Sequence, residues 1–126
     1  MKFLNSFLWA TLLVLSVACN KQVAEPCDTG NLEAIIVGKW TINFGGSSAG
    51  DVEFKSDGTL IDPDDVLLGF TDIQDQKSYV VDSNTEFTAT AIDNGSSLEV
   101  AYDVTSFTCD EIILDFFGFE VKMNRK

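Results

Sequence analysis

Two patterns divide the chain. Phe7 to Val17 is an almost unbroken apolar run, with Lys2 ahead of it and the polar Asn20-Lys21-Gln22 behind it. From Lys39 onward apolar and polar residues alternate with a period of two, the repeat of a strand that buries one face. Trp40, Ile42 and Phe44 alternate with Thr41 and Asn43, and the stretch from Gly45 to Gly50 then interrupts the pattern and reads as a flexible connection. Val52 and Phe54 resume it, Ser56-Asp57-Gly58 suits a tight turn, and Thr59 to Ile61 returns as the second arm of a hairpin. Val66 to Phe70 and Tyr79 to Val81 are each short enough for a strand, with a polar stretch from Thr71 to Ser78 between them. In a second hairpin Phe87, Ala89 and Ala91 face Leu98, Val100 and Tyr102 across Asp93-Asn94-Gly95. In the last, Ile112, Leu114 and Phe116 point inward opposite Phe119, Val121 and Met123 across Phe117-Gly118.

Ahead of the strands, residues 20–30 are polar, contain Pro26 and Gly30, and read as a tether. Leu32, Ile35 and Ile36 at i, i+3 and i+4 predict a turn or two of helix between Asn31 and Val37, stopped by Gly38 and laid as a small lid over the opening of the fold. The expected fold is therefore all-β, an antiparallel meander of seven to eight strands with a short N-terminal helix. A meander of this size protects its edges by curling into a barrel or a tightly closed sandwich.

The apolar run is too short to span a bilayer, which takes about 20 residues, and its length and positive flank suit an export signal. Leu15-Ser16-Val17-Ala18-Cys19 resembles the lipobox of bacterial lipoproteins, in which the cysteine thiol accepts diacylglycerol before cleavage. Ser16 stands where the usual motif has leucine, and Leu15 is one place further back. The resemblance implies a signal peptide over residues 1–18, a tether over 19–30 that starts at a lipidated Cys19, and a domain over 31–126. The alternative is a simple secretory signal cut near Ala18. Asn20 is not the aspartate associated with inner-membrane retention, so the expected location is the outer membrane, on either its periplasmic or its outer face.

Cysteine counting agrees. Of three cysteines, lipidation of Cys19 leaves Cys27 and Cys109 to pair, the alternative being two buried thiols.

At 126 residues there is room for one domain, and 45% hydrophobic with 22% charged residues is the balance of a globular chain. Losing residues 1–18 removes only Lys2, so 8 basic residues become 7 against 20 acidic ones, a formal charge of −13. Such a surface repels phosphate backbones, which sets nucleic acid aside as a partner. It also repels anionic head groups, so the membrane is reached through the lipid and not through surface charge.

Gly38-Lys39-Trp40 at the first strand resembles the Gly-x-Trp signature of lipocalins. Val52 to Thr59 and the closing Phe119 to Lys126 are similar to segments of the small lipocalin-like lipoproteins of Bacteroidetes. The resemblance covers roughly Leu32 to Lys126. It implies that Trp40 plugs the closed end of a barrel, that Gly38 permits the bend before it, and that an arginine of the last strand stacks on the tryptophan. Arg125, the single arginine, is the candidate, against a reading as a solvated tail residue. Thr71-Asp72-Ile73 is only faintly similar to the second lipocalin signature, and a domain of about 95 residues leaves any cavity small.

There is no histidine, which removes the commonest general base and metal ligand, and no glycine-rich phosphate loop. No cofactor or metal is implied. Asp62-Pro63-Asp64-Asp65 lacks calcium-loop spacing and reads as a solvated turn. Two functions follow: a lipid-anchored barrel that binds a small apolar molecule, or a filled-core module acting on other proteins through its acidic surface. A carboxylate enzyme such as a glycosidase ranks last, for want of a cleft. Oligomeric state is left open.

Overall fold

Alternation of period two governs the architecture, because each strand has one face to bury and the sheet must curl until those faces meet. The computed structural model describes Cys27 and residues 30–69, 76–93 and 95–126. The leader over residues 1–18, Cys19, most of the tether, Phe70, Thr71-Asp72-Ile73 and Asn94 lie outside the described residues. One helix, α1 (Leu32–Ile36), precedes β1 (Gly38–Phe44), β2 (Ser47–Phe54), β3 (Leu60–Ile61), β4 (Gln76–Ser83), β5 (Glu86–Asp93), β6 (Ser96–Phe107), β7 (Glu111–Phe116) and β8 (Phe119–Arg125).

The strands form a single antiparallel sheet in the order β3-β2-β1-β8-β7-β6-β5-β4. Its two outer strands are brought together by the bridge between Thr59 and Ser78 and by Tyr79 N donating to Gly58 O at 2.9 Å. The result is a nearly closed barrel. Three register shifts, between Ile42 and Asn43, between Val81 and Ser83 and between Val104 and Ser106, each insert an extra residue. Bulges sharpen local twist and bend, which lets so short a sheet curl.

Inside, Trp40, Ile42, Val52, Phe54, Phe87, Ala89, Tyr102, Ile112, Leu114, Val121 and Met123 are buried in one core. Ala89 pairs with Tyr79 across β4 and β5, and its small side chain leaves room for rings. Phe54 meets Tyr79 and Phe87 edge-on at 4.9 and 5.7 Å, and Phe87 stacks on Tyr102 at 5.2 Å. Edge-to-face and offset contacts of this kind are the ones favoured by ring quadrupoles.

Several expectations change. The stretch from Gly45 to Gly50 is no flexible connection: Gly45-Gly46 is the whole turn, and Ser47 already pairs with Phe44. Those small polar residues complete the ladder with backbone groups while lying beyond the core, so no apolar period marks them. Val66 to Leu68 form bends and not a strand, although Leu67 and Leu68 are buried. Phe119 shares the parity of the buried Val121 and Met123 but is 72% exposed, because its pair with Phe116 lies past the last β1–β8 partners, Phe44 and Val121. Helix α1 covers the Trp40 end of the barrel, and residues of the β3–β4 connection cover the other.

The helix begins at Asn31, whose side-chain oxygen accepts from Glu33 N at 3.0 Å. It ends where Val37 turns extended and Gly38 takes a φ of 131°. Asn84 in the β4–β5 turn holds it down, accepting from Leu32 N and donating to Gly30 O, both at 3.0 Å. Cys27 and Cys109 form a disulfide across a separation of 82 residues, with their Cα atoms 5.8 Å apart. Loop closure on that scale stabilises the fold by about 4.5 kcal/mol in the chain-entropy model. Urea denaturation of Cys27→Ser/Cys109→Ser should show most of this loss, and a loss below about 1 kcal/mol would mean that the unfolded chain is little constrained by the bridge.

Candidate functional site

The Trp40 end is a lock. Trp40 is fully buried, and its indole Nε1 donates to Ile36 O at 2.7 Å, so the ring is fixed to the last turn of α1. Arg125 pairs with Trp40 in the β1–β8 register and places its guanidinium carbon 4.2 Å from the ring centroid. The same guanidinium donates to three carbonyls: Cys109 O at 2.6 Å, Ile35 O at 2.6 Å and Val37 O at 3.2 Å. One cation thus joins α1, β1, β8 and the β6–β7 turn. A Cβ on Gly38 would stand 2.6 Å from Arg125 Nη1, so the glycine is required by this approach as well as by its positive φ. The structure therefore brings together Gly38, Trp40 and Arg125, and beside them Cys109 with Cys27. Whatever precedes Cys27 joins the barrel at this end.

At the other end the β3–β4 connection turns inward, held by Asp62, which is buried and not part of a solvated turn. Asp62 is only 2% exposed, and its carboxylate accepts from Val66 N and Leu67 N, both at 2.8 Å. Lys77 donates to the Asp62 carbonyl and to the Asp65 carboxylate, and Tyr102 donates its hydroxyl proton to the Leu67 carbonyl. These bonds seat Leu67 and Leu68 in the top of the core. The proline and repeated carboxylates suggested a surface turn; the signal for burial was the apolar Val66-Leu67-Leu68 behind it. Among the described residues no group of three acidic or cysteine side chains could hold a metal ion.

Among the described residues several open grooves flank the barrel, two of them along a strand seam and at the rim. One, of about 540 Å³, follows the seam between β3 and β4 and includes Ile61, Lys77 and Ile92. The larger, of about 840 Å³, lies at the rim formed by the β1–β2 and β7–β8 turns, with Phe44, Phe116 and Phe119 beside Asn43, Glu120 and Lys122.

Burial raises the Tyr102 hydroxyl above the ordinary tyrosine range, and the Asp62 carboxylate adds to the effect. In the unfolded chain that hydroxyl loses its proton near pH 10.0, whereas the native protein keeps it. The native state then binds more protons, so the stability is complete below that pH and falls as pH rises toward the native value. Tyr102→Phe should flatten this alkaline decline while costing about 1–2 kcal/mol at neutral pH, through a Leu67 carbonyl left without its donor. Urea titrations at about pH 8 and about pH 11 check both. Arg125→Ala should cost about 3 kcal/mol or more, the scale of several charged hydrogen bonds lost together, and Arg125→Lys should recover less than half of it because an ammonium cannot fork to three carbonyls. The same denaturation assay measures the pair.

No family model and no curated protein matches the sequence. Among solved structures, the chain is similar to a lipocalin-like protein from Bacteroides thetaiotaomicron, with 21% sequence identity and a TM-score of 0.42, over 72% of this chain and 96% of that one.

Proposed function

We propose that this is an envelope protein, hung from the outer membrane by a lipid on Cys19, whose barrel acts on other proteins through its outer surface. The observation that carries this reading is the filled interior. Trp40, Phe54, Phe87, Ile42, Leu67 and Leu68 are all buried within one core, and they occupy it from the α1 end to the β3–β4 connection. A small apolar ligand of the usual kind needs a concave site of about 300–1,000 Å³ with apolar walls, and among the described residues the seam and rim grooves of that size lie on the outside of this barrel. A net charge of −12 for the whole chain also supports recognition by surface electrostatics.

A second reading keeps the apolar ligand. Leu67 and Leu68 belong to a connection held by side-chain hydrogen bonds and not by the strand ladder, so a ligand could take their place if that connection lifted.

Two measurements separate the readings and test the anchor. Titration of the purified protein with the neutral probe N-phenylnaphthylamine should give no saturable, displaceable signal, and native mass spectrometry of protein taken from envelopes should show no retained small molecule. Stoichiometric displaceable binding in either would favour the second reading. For the anchor, mass spectrometry of the mature N-terminus should find a diacylglyceryl cysteine at position 19, and Cys19→Ser should release the protein from the membrane fraction. An intact leader, or an unmodified N-terminus on membrane-bound protein, would overturn the anchoring.

A further inference from the structure

The β7–β8 hairpin stacks Phe116 on the buried Tyr102 but leaves its other two rings, Phe117 and Phe119, largely in water. Phe117 is 87% exposed at the tip, and two residues along the chain Phe119 shares the rim groove with Phe44, 36% exposed at the end of β1. Together these rings expose on the order of 300–400 Å² of apolar surface, the size of a working patch on a small protein. The backbone points the same way. Phe117 and Gly118 have φ values of 51° and 84°, the signs of a type I′ turn, in which asparagine is favoured at the first position and a bulky side chain is strained. Phenylalanine at 117 is thus unfavourable twice over, in conformation and in solvation. Its ring meets the fold edge-on at Phe116, 4.7 Å away at the rim, and the rest of it stands in water, so a local rule is broken for little gain to the fold, which marks a residue chosen for what it touches.

The charges below the tip say what that is. Glu86 of β5 pairs with Asp103 of β6, Asp103 with Asp115 of β7, and Asp115 with Glu120 of β8. Four carboxylates therefore stand side by side on the outer faces of four adjacent strands, an arrangement of like charges that destabilises a sheet. Lys122 lies 3.6 Å from Glu120; the stripe is otherwise met by no ion pair among the described residues. A stripe of this kind repels anionic lipid and repels a second copy of the same chain, and it complements lysine and arginine. The disulfide puts Cys27 at the opposite end of β7 from the tip, about 20 Å away along a six-residue strand, so a tethered barrel presents its rings away from the anchoring membrane.

We infer that Phe117, Phe119 and Phe44, with the stripe from Glu86 to Glu120, form the docking surface for a protein that offers an apolar pocket rimmed by lysine and arginine. This rests on the surface-acting role proposed above and names its site. Aromatic anchors in a pocket supply the affinity, and the acidic stripe supplies orientation and salt dependence.

The test places a benzoylphenylalanine photocrosslinker at position 119 of the full-length chain in the cells that make it, and identifies the crosslinked peptide by mass spectrometry. The expected adduct joins one other protein through an apolar segment with lysine or arginine close to it. Phe117→Asn should lower its yield at least tenfold while leaving Tm unchanged or raised, the opposite of what a packing role would give. Asp103→Lys, or extraction at high salt, should lower it severalfold. Adducts to lipid, to glycan or to the chain itself, the absence of any adduct, or one indifferent to Phe117→Asn would each overturn the inference. An equal adduct from a crosslinker at Val80, exposed on β4, would overturn the site while leaving the surface-acting role in place; displaceable N-phenylnaphthylamine binding would instead remove that role.

Discussion

Arg125 is the interaction on which the rest depends. Its guanidinium lies over the Trp40 ring and donates to carbonyls of Ile35, Val37 and Cys109. Those carbonyls are the last of a short helix and a turn between strands, groups that secondary structure leaves without partners. Satisfying them with one charged, planar fork closes the base of the barrel and fixes where the helix sits. It also explains Gly38, where any side chain would collide with the arginine.

A barrel closed at one end still has to fill its other end. Its strands are short, and the rings of Phe54, Phe87 and Tyr102 take much of the width. The remainder is filled by Leu67 and Leu68, which come from a connection and not from a strand. Burying that backbone leaves polar groups to satisfy, and the Asp62 carboxylate, the Lys77 ammonium and the Tyr102 hydroxyl meet them. Asp62 is therefore buried for the sake of the segment it holds. A carboxylate that accepts two backbone N–H bonds is far less costly to bury than one without partners.

The two ends differ in role as well as in packing. At the base lie the disulfide and the point where the tether joins; at the rim lie the strained Phe117 turn and the exposed rings. The acidic stripe runs across β5 to β8 on the outside of the core. The disulfide and the arginine lock are thus at one end of the same eight strands, and the exposed rings at the other.

Much of this was legible before any coordinates. Alternation of period two named the inward residues of β1, β2, β5 and β7, since the pleat forces every second side chain to one face. An odd number of cysteines pointed to Cys27 with Cys109, and Gly38-Lys39-Trp40 marked the opening strand. Other features could not be read from the residues alone. The partners of Arg125 lie 88 and 90 residues away at Val37 and Ile35, and no local pattern encodes a contact at that distance. Phe119 follows the inward parity and is nevertheless exposed, because parity gives the direction of a side chain but not whether a neighbouring strand extends far enough to cover it. Asp62 looks like a turn residue by composition and becomes a buried one only when the chain crosses the mouth of the barrel. The sequence by itself determined the faces of β1, β2 and β5 to β7 and left Cys27 and Cys109 as the candidates for a bridge, through neighbours in the chain and counting. The tertiary structure alone decided which ends are shut, which rings stay in water and which carboxylates line up, since these depend on how far each strand reaches beside the next.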